Sequence, residues 1–168
     1  IRTVFNILGP LTNPAGAPCQ VVGVSDFSTG ELMVRTLGRL GSQKSIVVHG
    51  EDGLDEITIS GPSTIWFLAN GFITKSKISP DQFGMSISPI TNIQASNPSE
   101  SAEIIRNVVN GSVGAAQDIV VLNSSATLVS CGVAEDLENG IDLARKSISS
   151  GRAASCLDSY VSLSNSLG

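Results

Sequence analysis

Two adjacent carboxylates, Asp55 and Glu56, are the residues of this sequence whose chemistry is most definite. They close an acidic stretch that runs from His49 to Glu56. Carboxylate oxygens are hard ligands, and magnesium commonly takes one or two of them together with water and phosphate oxygens. The pair therefore indicates a magnesium site. A solvated acidic turn would explain the same residues equally well from pattern alone.

The single histidine, His49, stands at the start of this acidic stretch. A histidine can exchange protons near neutral pH, but a lone one at a strand end more commonly makes a structural hydrogen bond. The sequence contains no Ser/His/Asp arrangement, no H-E-x-x-H motif and no phosphate loop followed by a lysine. We therefore predict no catalytic side chain, and covalent catalysis is disfavoured.

A second stretch, residues 6–14, is rich in Gly, Pro and Asn but is interleaved with apolar residues. This composition predicts an ordered, partly buried loop, and a structural connection is its favoured interpretation. The functional alternative is that Gly9 and Pro10 bring the backbone close to a flat ligand, while Asn6 and Asn13 hold the loop in shape.

The acidic stretch follows a predicted strand, helix and strand. The strands are residues 19–24 and 45–49, and the helix lies between Gly30 and Gly41. Elements this close in sequence form a βαβ unit with parallel strands. Ligands of open α/β sheets bind beyond the carboxyl ends of the strands. The acidic loop is therefore predicted to lie where a site is expected.

The remaining pattern predicts a hairpin at Asn70-Gly71, which makes the sheet mixed, followed by helices. Asn97 and Pro98 begin one helix, a nearly all-apolar helix over residues 115–133 should be central, and two amphipathic helices are separated at Gly151. The predicted fold class is α/β, with a mixed, mainly parallel sheet flanked by helices. Residues 1–168 are predicted to form a single domain.

Composition limits the partners. The chain has 10 basic and 15 acidic residues and a net charge of −5, which disfavours nucleic acid and anionic membranes. Because no apolar stretch is long enough to span a bilayer, we expect a cytoplasmic protein. The three cysteines show no metal-binding spacing and suit a reducing compartment. Cys131 and Cys156 fall in apolar helical patterns and are expected in the core.

Several motifs together resemble one enzyme family. Residues 2–14 read RTVFNILGPLTNP, and His49-Gly50 and then residues 52–56, DGLDE, follow at the end of the βαβ unit. Residues 79–85 and 119–123 add weaker likenesses. Over essentially its whole length the chain resembles anthranilate phosphoribosyltransferase. Two motifs at the right separation are far more specific than either one alone.

The resemblance implies a fold, an activity and a set of site residues. The fold is the large α/β domain of a phosphoribosyltransferase/nucleoside phosphorylase-like enzyme. The activity is transfer of phosphoribosyl from phosphoribosyl pyrophosphate to anthranilate in tryptophan biosynthesis. Asp55 and Glu56 would bind magnesium. Pro10 would line the anthranilate channel, and Asn6 of the same motif is expected to contact substrate.

The resemblance also implies that the chain is truncated, because it begins with Ile1 and lacks the family's earlier motifs. We expect the N-terminal helical domain and the first part of the α/β domain to be absent. The fragment alone should then be inactive, and it should lack the homodimer of the full-length family.

Two other functions remain open at this point. One is a pyrimidine nucleoside phosphorylase-like enzyme, which shares the architecture; the paired motifs at residues 2–14 and 52–56 argue against it. The other is a non-catalytic relative of the same fold that binds nucleic acid, which the acidic composition disfavours.

Overall fold

The computed structural model of the chain describes the backbone of residues 5–167 and the side chains of residues 8–167. The strands are β1 (Cys19–Gly23), β2 (Lys44–Gly50), β3 (Ser63–Ala69) and β4 (Phe72–Ile78). The helices are α1 (Phe5–Leu11), α2 (Phe27–Arg39), α3 (Pro98–Val109), α4 (Ala115–Ser130), α5 (Leu137–Ser149) and α6 (Arg152–Leu167). Two short 3-10 helices, Pro80–Phe83 and Ile90–Ile93, connect β4 to α3.

The four strands form one mixed sheet in the order β1-β2-β3-β4. β1 and β2 pair in parallel, whereas β2 with β3 and β3 with β4 pair antiparallel. The predicted hairpin is confirmed: Asn70 and Gly71 have φ of 52° and 80°, the positive values that a tight hairpin turn requires. The mixed sheet is confirmed as well, but the expectation of mainly parallel pairing does not hold for the described strands. Only β1 and β2 pair in parallel, because no crossover helix connects β2 to β3 or β3 to β4.

Helices cover both faces of the sheet. On one face Val47, Trp66 and Leu68 are buried under α2. On the other face the core continues into α4, which packs against β1 and β2. Val121 and Leu122 of α4 are buried, so the expectation of a central apolar helix is confirmed. Within the described residues no helix is both long enough and apolar enough to cross a membrane.

The prediction of a loop over residues 6–14 is partly wrong, because α1 extends through residues 6–11 of this stretch. Gly9 and Pro10 lie inside this helix. Pro10 is the sixth of the seven residues of α1. The amide hydrogen that it lacks therefore removes only one backbone hydrogen bond, close to the end of the helix. The hydroxyl of Thr12 then donates to the carbonyl of Leu8 across the last turn, at 2.9 Å.

The prediction of core positions for Cys131 and Cys156 is wrong, since both are exposed. Cys131 is the C-cap residue of α4, beyond the buried face of that helix. Cys156 lies on α6, a helix with no buried side chain among the described residues. Helical periodicity predicts which residues share a face, but it cannot predict whether another element covers that face.

Candidate metal site

A tight turn carries Asp55 and Glu56 back to the carboxyl end of β2. The amide of Gly50 donates to the carbonyl of Leu54 at 2.8 Å, and the amide of Gly53 donates to the carbonyl of Gly50 at 2.9 Å. The chain that leaves β2 therefore returns to the same strand end within a few residues. The pair lies at the carboxyl edge of the sheet, where the sequence predicted it.

The backbone of Gly23, at the end of β1, packs directly against the backbone of Asp55. A Cβ built on Gly23 would lie 1.6 Å from the backbone carbonyl oxygen of Asp55. No side chain can occupy that space, so the close approach of the two backbones requires glycine. Asp55 is thereby placed against the end of β1 as well as near the end of β2.

The other acidic residue of the turn, Asp52, has a structural role. Its Oδ1 accepts the amide hydrogen of Leu54 at 3.1 Å, and its Oδ2 accepts the hydroxyl hydrogen of Thr58 at 2.6 Å. Both carboxylate oxygens thus hold the loop together. The sequence alone did not distinguish the structural role of Asp52 from the metal-binding role predicted for Asp55 and Glu56, because all three are acidic residues of one turn.

Asn123 of α4 also touches the loop, and sequence reasoning missed it as a site residue. Its Oδ1 accepts the amide hydrogen of Ile57 at 2.9 Å, and its Nδ2 donates to the carbonyl of Ile57 at 2.9 Å. Ile57 directly follows Glu56. The available signal was a polar residue directly after the apolar run from Ile119 to Leu122. Its partner, however, is 66 residues away in sequence.

Glu56 lies beside an apolar cleft. It lines a cavity of about 330 Å³ together with residues that include Leu54, Ile93, Ile104 and Ile119. Partial burial raises the pKa of the Glu56 carboxyl above its usual value of 4.5, and the negative charge of neighbouring Asp55 raises it further. A cation between the two carboxylates would offset both effects.

This donor set fits magnesium. Among residues 8–167, whose side chains are described, no three His, Cys, Asp or Glu residues converge to hold a metal by themselves. Magnesium does not need three protein ligands, because it keeps bound waters and binds through one or two carboxylates plus substrate phosphates. Asp55 and Glu56 would supply that protein share of the coordination shell.

His49 makes a structural contact. Its Nδ1 lies 2.9 Å from the carbonyl oxygen of Val24, just beyond β1. A carbonyl can only accept, so this nitrogen carries the hydrogen. The bond ties the end of β2 to the end of β1, in keeping with the structural interpretation of this histidine.

The structure does not bring Pro10 to the carboxylate pair. Pro10 lines a cleft of about 420 Å³ with Pro18, Gln20 and Ser42, at the amino ends of β1 and β2. Four steps of about 3.3 Å along the five residues of β1 separate that edge from the pair by roughly 13 Å. The side chain of Asn6 lies outside the described residues.

Sequence comparison agrees with this architecture. Residues 1–154 match the family described as "Glycosyl transferase family, a/b domain". The chain belongs to this glycosyl transferase family.

Curated relatives of this chain include anthranilate phosphoribosyltransferases. The anthranilate phosphoribosyltransferase of Moorella thermoacetica is 45% identical over 161 residues, which are 96% of this chain and 48% of that protein. The chain therefore spans about half the length of the curated relatives it matches.

Solved structures in the same family confirm the fold class. The anthranilate phosphoribosyltransferase of Thermus thermophilus superposes with a TM-score of 0.87 at 36% identity, covering 96% of this chain and 48% of that one. The Saccharomyces cerevisiae enzyme in complex with PRPP and Mg superposes with a TM-score of 0.83 at 26% identity, covering 94% and 46%.

The raised pKa of Glu56 is testable by ¹³C NMR titration of its side-chain carboxyl in the metal-free chain. We expect Asp55→Asn to lower this pKa only in part, because burial is the larger cause. The folded chain keeps the Glu56 proton to higher pH than the unfolded chain does. Ionisation of Glu56 therefore reduces stability as pH rises from 4.5 through the folded pKa.

The matched control is Asp158→Asn, a change on α6 that should leave the Glu56 titration where it was. A pKa of Glu56 at or below its usual value, or one indifferent to Asp55→Asn, would contradict the geometry of this site.

Proposed function

We propose that the chain forms the magnesium-binding part of the active site of an anthranilate phosphoribosyltransferase. The reaction transfers phosphoribosyl from phosphoribosyl pyrophosphate to anthranilate, in tryptophan biosynthesis and in the cytoplasm. The main support for the proposal is the position of Asp55 and Glu56 at the carboxyl edge of the sheet, on a turn that is held by hydrogen bonds. The relatives' shared name supports this function over a nucleoside phosphorylase or a nucleic-acid-binding protein.

The reaction defines what these residues would do. The bond between ribose carbon 1 and the pyrophosphate oxygen breaks, the anthranilate nitrogen bonds to that carbon, and one proton leaves the nitrogen. Negative charge develops on the departing pyrophosphate. When bound, magnesium neutralises charge on phosphate oxygens. Asp55 and Glu56 would hold the cation in place. The cation is needed there because two carboxylates alone would repel the negatively charged pyrophosphate.

Other parts of the proposed function depend on segments beyond these residues. The chain spans half the length of its relatives, so we expect adjoining segments, including a helical domain, to position both substrates and to form the homodimer. Pro10 lies away from the carboxylate pair, and the substrate-binding roles of Pro10 and Asn6 stay predictions.

Activity tests this proposal directly. We expect the natural protein, with any segments that adjoin these 168 residues, to consume anthranilate in the presence of phosphoribosyl pyrophosphate and Mg²⁺. The 168-residue chain alone should show no measurable turnover, because near-attack positioning can contribute about 7–11 kcal/mol to lowering a barrier. The assay is the loss of anthranilate fluorescence with both proteins in parallel.

Two outcomes would contradict this proposal. One is a folded natural protein that leaves anthranilate unchanged. The other is a 168-residue chain whose turnover lies within about tenfold of the natural protein, since holding the substrates in place contributes far more than that factor.

A further inference from the structure

The contact between Asn123 and Ile57 ties the carboxylate loop to the centre of the core. Asn123 uses both ends of its amide on the two backbone groups of Ile57, and its Nδ2 also donates to the carbonyl of Ile119 at 3.0 Å. Ile57 is 0% exposed. One side chain therefore satisfies both the amide and the carbonyl of a buried backbone position, which would be costly to leave unpaired.

An amide side chain is specifically suited to this contact. It presents a hydrogen-bond donor and an acceptor side by side, as a neighbouring strand would. An aspartate has the same shape but offers two acceptors, so one oxygen would face the carbonyl of Ile57 and repel it. The position of Asn123 is itself fixed, since its neighbours Val121, Leu122 and Ala126 on α4 are buried.

Asp55 and Glu56 are braced on both sides. Before the pair, the carboxylate of Asp52 bonds to Leu54 and Thr58, and under Asp55 lies the backbone of Gly23. After the pair, Asn123 holds Ile57. The backbone on either side of the two carboxylates is therefore fixed by hydrogen bonds and close packing.

We propose that Asn123 is a positioning residue for the metal site: its amide fixes the peptide of Ile57, so that the carboxylates of Asp55 and Glu56 stay directed at one cation. This inference rests on the proposed function. Partners that orient metal ligands typically change metal affinity or activity by about 10- to 100-fold when they are removed. A purely structural asparagine would lower stability without changing the dependence on metal.

The test measures two properties of the natural protein: its Mg²⁺ affinity, by isothermal titration calorimetry in the presence of pyrophosphate, and its turnover of anthranilate as a function of Mg²⁺ concentration. We expect Asn123→Asp to weaken Mg²⁺ binding, and to raise the Mg²⁺ concentration for half-maximal activity, by about 10- to 100-fold. The KM for anthranilate should stay near its starting value, because the side chain of Asn123 bonds to Ile57 of the metal loop and to Ile119 of its own helix, away from Pro10 and its cleft. Asn123→Ala removes the bonds without adding a charge, and we expect a rise of at least about tenfold. It serves as the second variant if the aspartate prevents folding.

Ser125→Ala is the matched control. Ser125 lies two residues after Asn123 on α4 and is buried. Its hydroxyl donates to the carbonyl of Leu122 at 2.7 Å, within the helix and not to the loop. This variant loses one hydrogen bond of α4 but should keep the original Mg²⁺ dependence. If folded Asn123 variants behave as Ser125→Ala does, the positioning role is wrong while the proposed function stands.

The double replacement of Asp55→Asn and Glu56→Gln separates the two hypotheses. In that background Asn123→Asp should have little further effect on the Mg²⁺ dependence, because the ligands it positions are gone. If the double replacement leaves turnover and its Mg²⁺ dependence intact, the proposed function fails, and the role of Asn123 fails with it.

Discussion

Turnover of anthranilate by the natural protein is expected to fall by about 100- to 1,000-fold when Asp55→Asn and Glu56→Gln are combined, as for the loss of other groups that stabilise charge in a transition state. The amides keep the shape of the carboxylates but lose the charges that would hold a cation. The deficit should be largest at low Mg²⁺ concentration. The measurement is the rate of anthranilate fluorescence loss over a series of Mg²⁺ concentrations.

The fold of this double variant should be intact. Neither side chain belongs to the core. Among the described residues, the hydrogen bonds that shape the turn come from Asp52, Asn123 and the backbone, and not from the carboxylates of Asp55 and Glu56. Removing two adjacent like charges also removes their repulsion, so the unfolding temperature should be unchanged or slightly higher. A matching loss of stability and activity would mean that the pair is structural.

Glu51→Gln is the control for charge alone. Glu51 lies in the same turn, is acidic, and forms an ion pair with Lys77 of β4. Its replacement removes one negative charge from the loop without touching the proposed ligands, so turnover should stay near that of the unsubstituted protein. If the folded double variant turned over within about tenfold of the unsubstituted protein, the metal assignment would be wrong, because such a loss is smaller than the loss of one charge-stabilising group.

Local signals in the sequence predicted most of the fold that carries this site. The Asn70-Gly71 pair predicted the hairpin, and Asn97 caps α3 by accepting the amide hydrogen of Glu100 at 2.9 Å. These features depend on neighbouring residues alone. The same local reasoning predicted a loop at Gly9-Pro10, where α1 forms, because a proline near a helix end costs little.

The bracing of the site could not be predicted in this way. Asp55 and Glu56 were found because they are adjacent and acidic, and the strand before them is recognisable. Their support comes from distant positions: Asn123 lies 66 residues after its partner Ile57, and Gly23 lies 32 residues before Asp55. Such contacts depend on which distant segments of backbone the fold brings together, and amino-acid composition does not predict those contacts.

Close backbone packing of this kind recurs away from the site, at Gly30 of α2. A Cβ on Gly30 would lie 2.4 Å from Cζ3 and 2.5 Å from Cη2 of Trp66. Trp66 is 1% exposed and stacks obliquely against Phe27, with ring centroids 5.1 Å apart. Its ring belongs to the same buried cluster as Val34, Leu37 and Val47.

Gly30→Ala is therefore expected to destabilise the chain, against the prediction from helix propensity. Propensity alone favours alanine over glycine inside a helix by about 1 kcal/mol. Overpacking a core typically costs about 1–3 kcal/mol, occasionally more. With two rigid groups overlapping, the upper part of that range applies, which leaves a net loss of about 2 kcal/mol. The measurement is the free energy of unfolding in urea.

Gly38→Ala in the same helix is the matched control. A Cβ on Gly38 would lie 3.5 Å from the two methyl groups of Leu68, an ordinary contact. With no overlap to offset it, propensity should make this variant neutral or more stable by up to about 1 kcal/mol. Two glycines eight residues apart are thus expected to respond to one substitution with opposite signs.

Trp66→Phe decides whether the overlap is the cause. The Nε1 of Trp66 is buried and makes no hydrogen bond to any described residue, so phenylalanine loses ring volume but no polar partner. The smaller ring leaves space for the methyl group of an alanine at position 30. The cost of Gly30→Ala should then be smaller in the Trp66→Phe background than in the unsubstituted chain, a coupling of at least about 0.5 kcal/mol for residues in contact. If Gly30→Ala costs the same in both backgrounds, or if it is as well tolerated as Gly38→Ala, the packing of α2 on β3 differs from that described here.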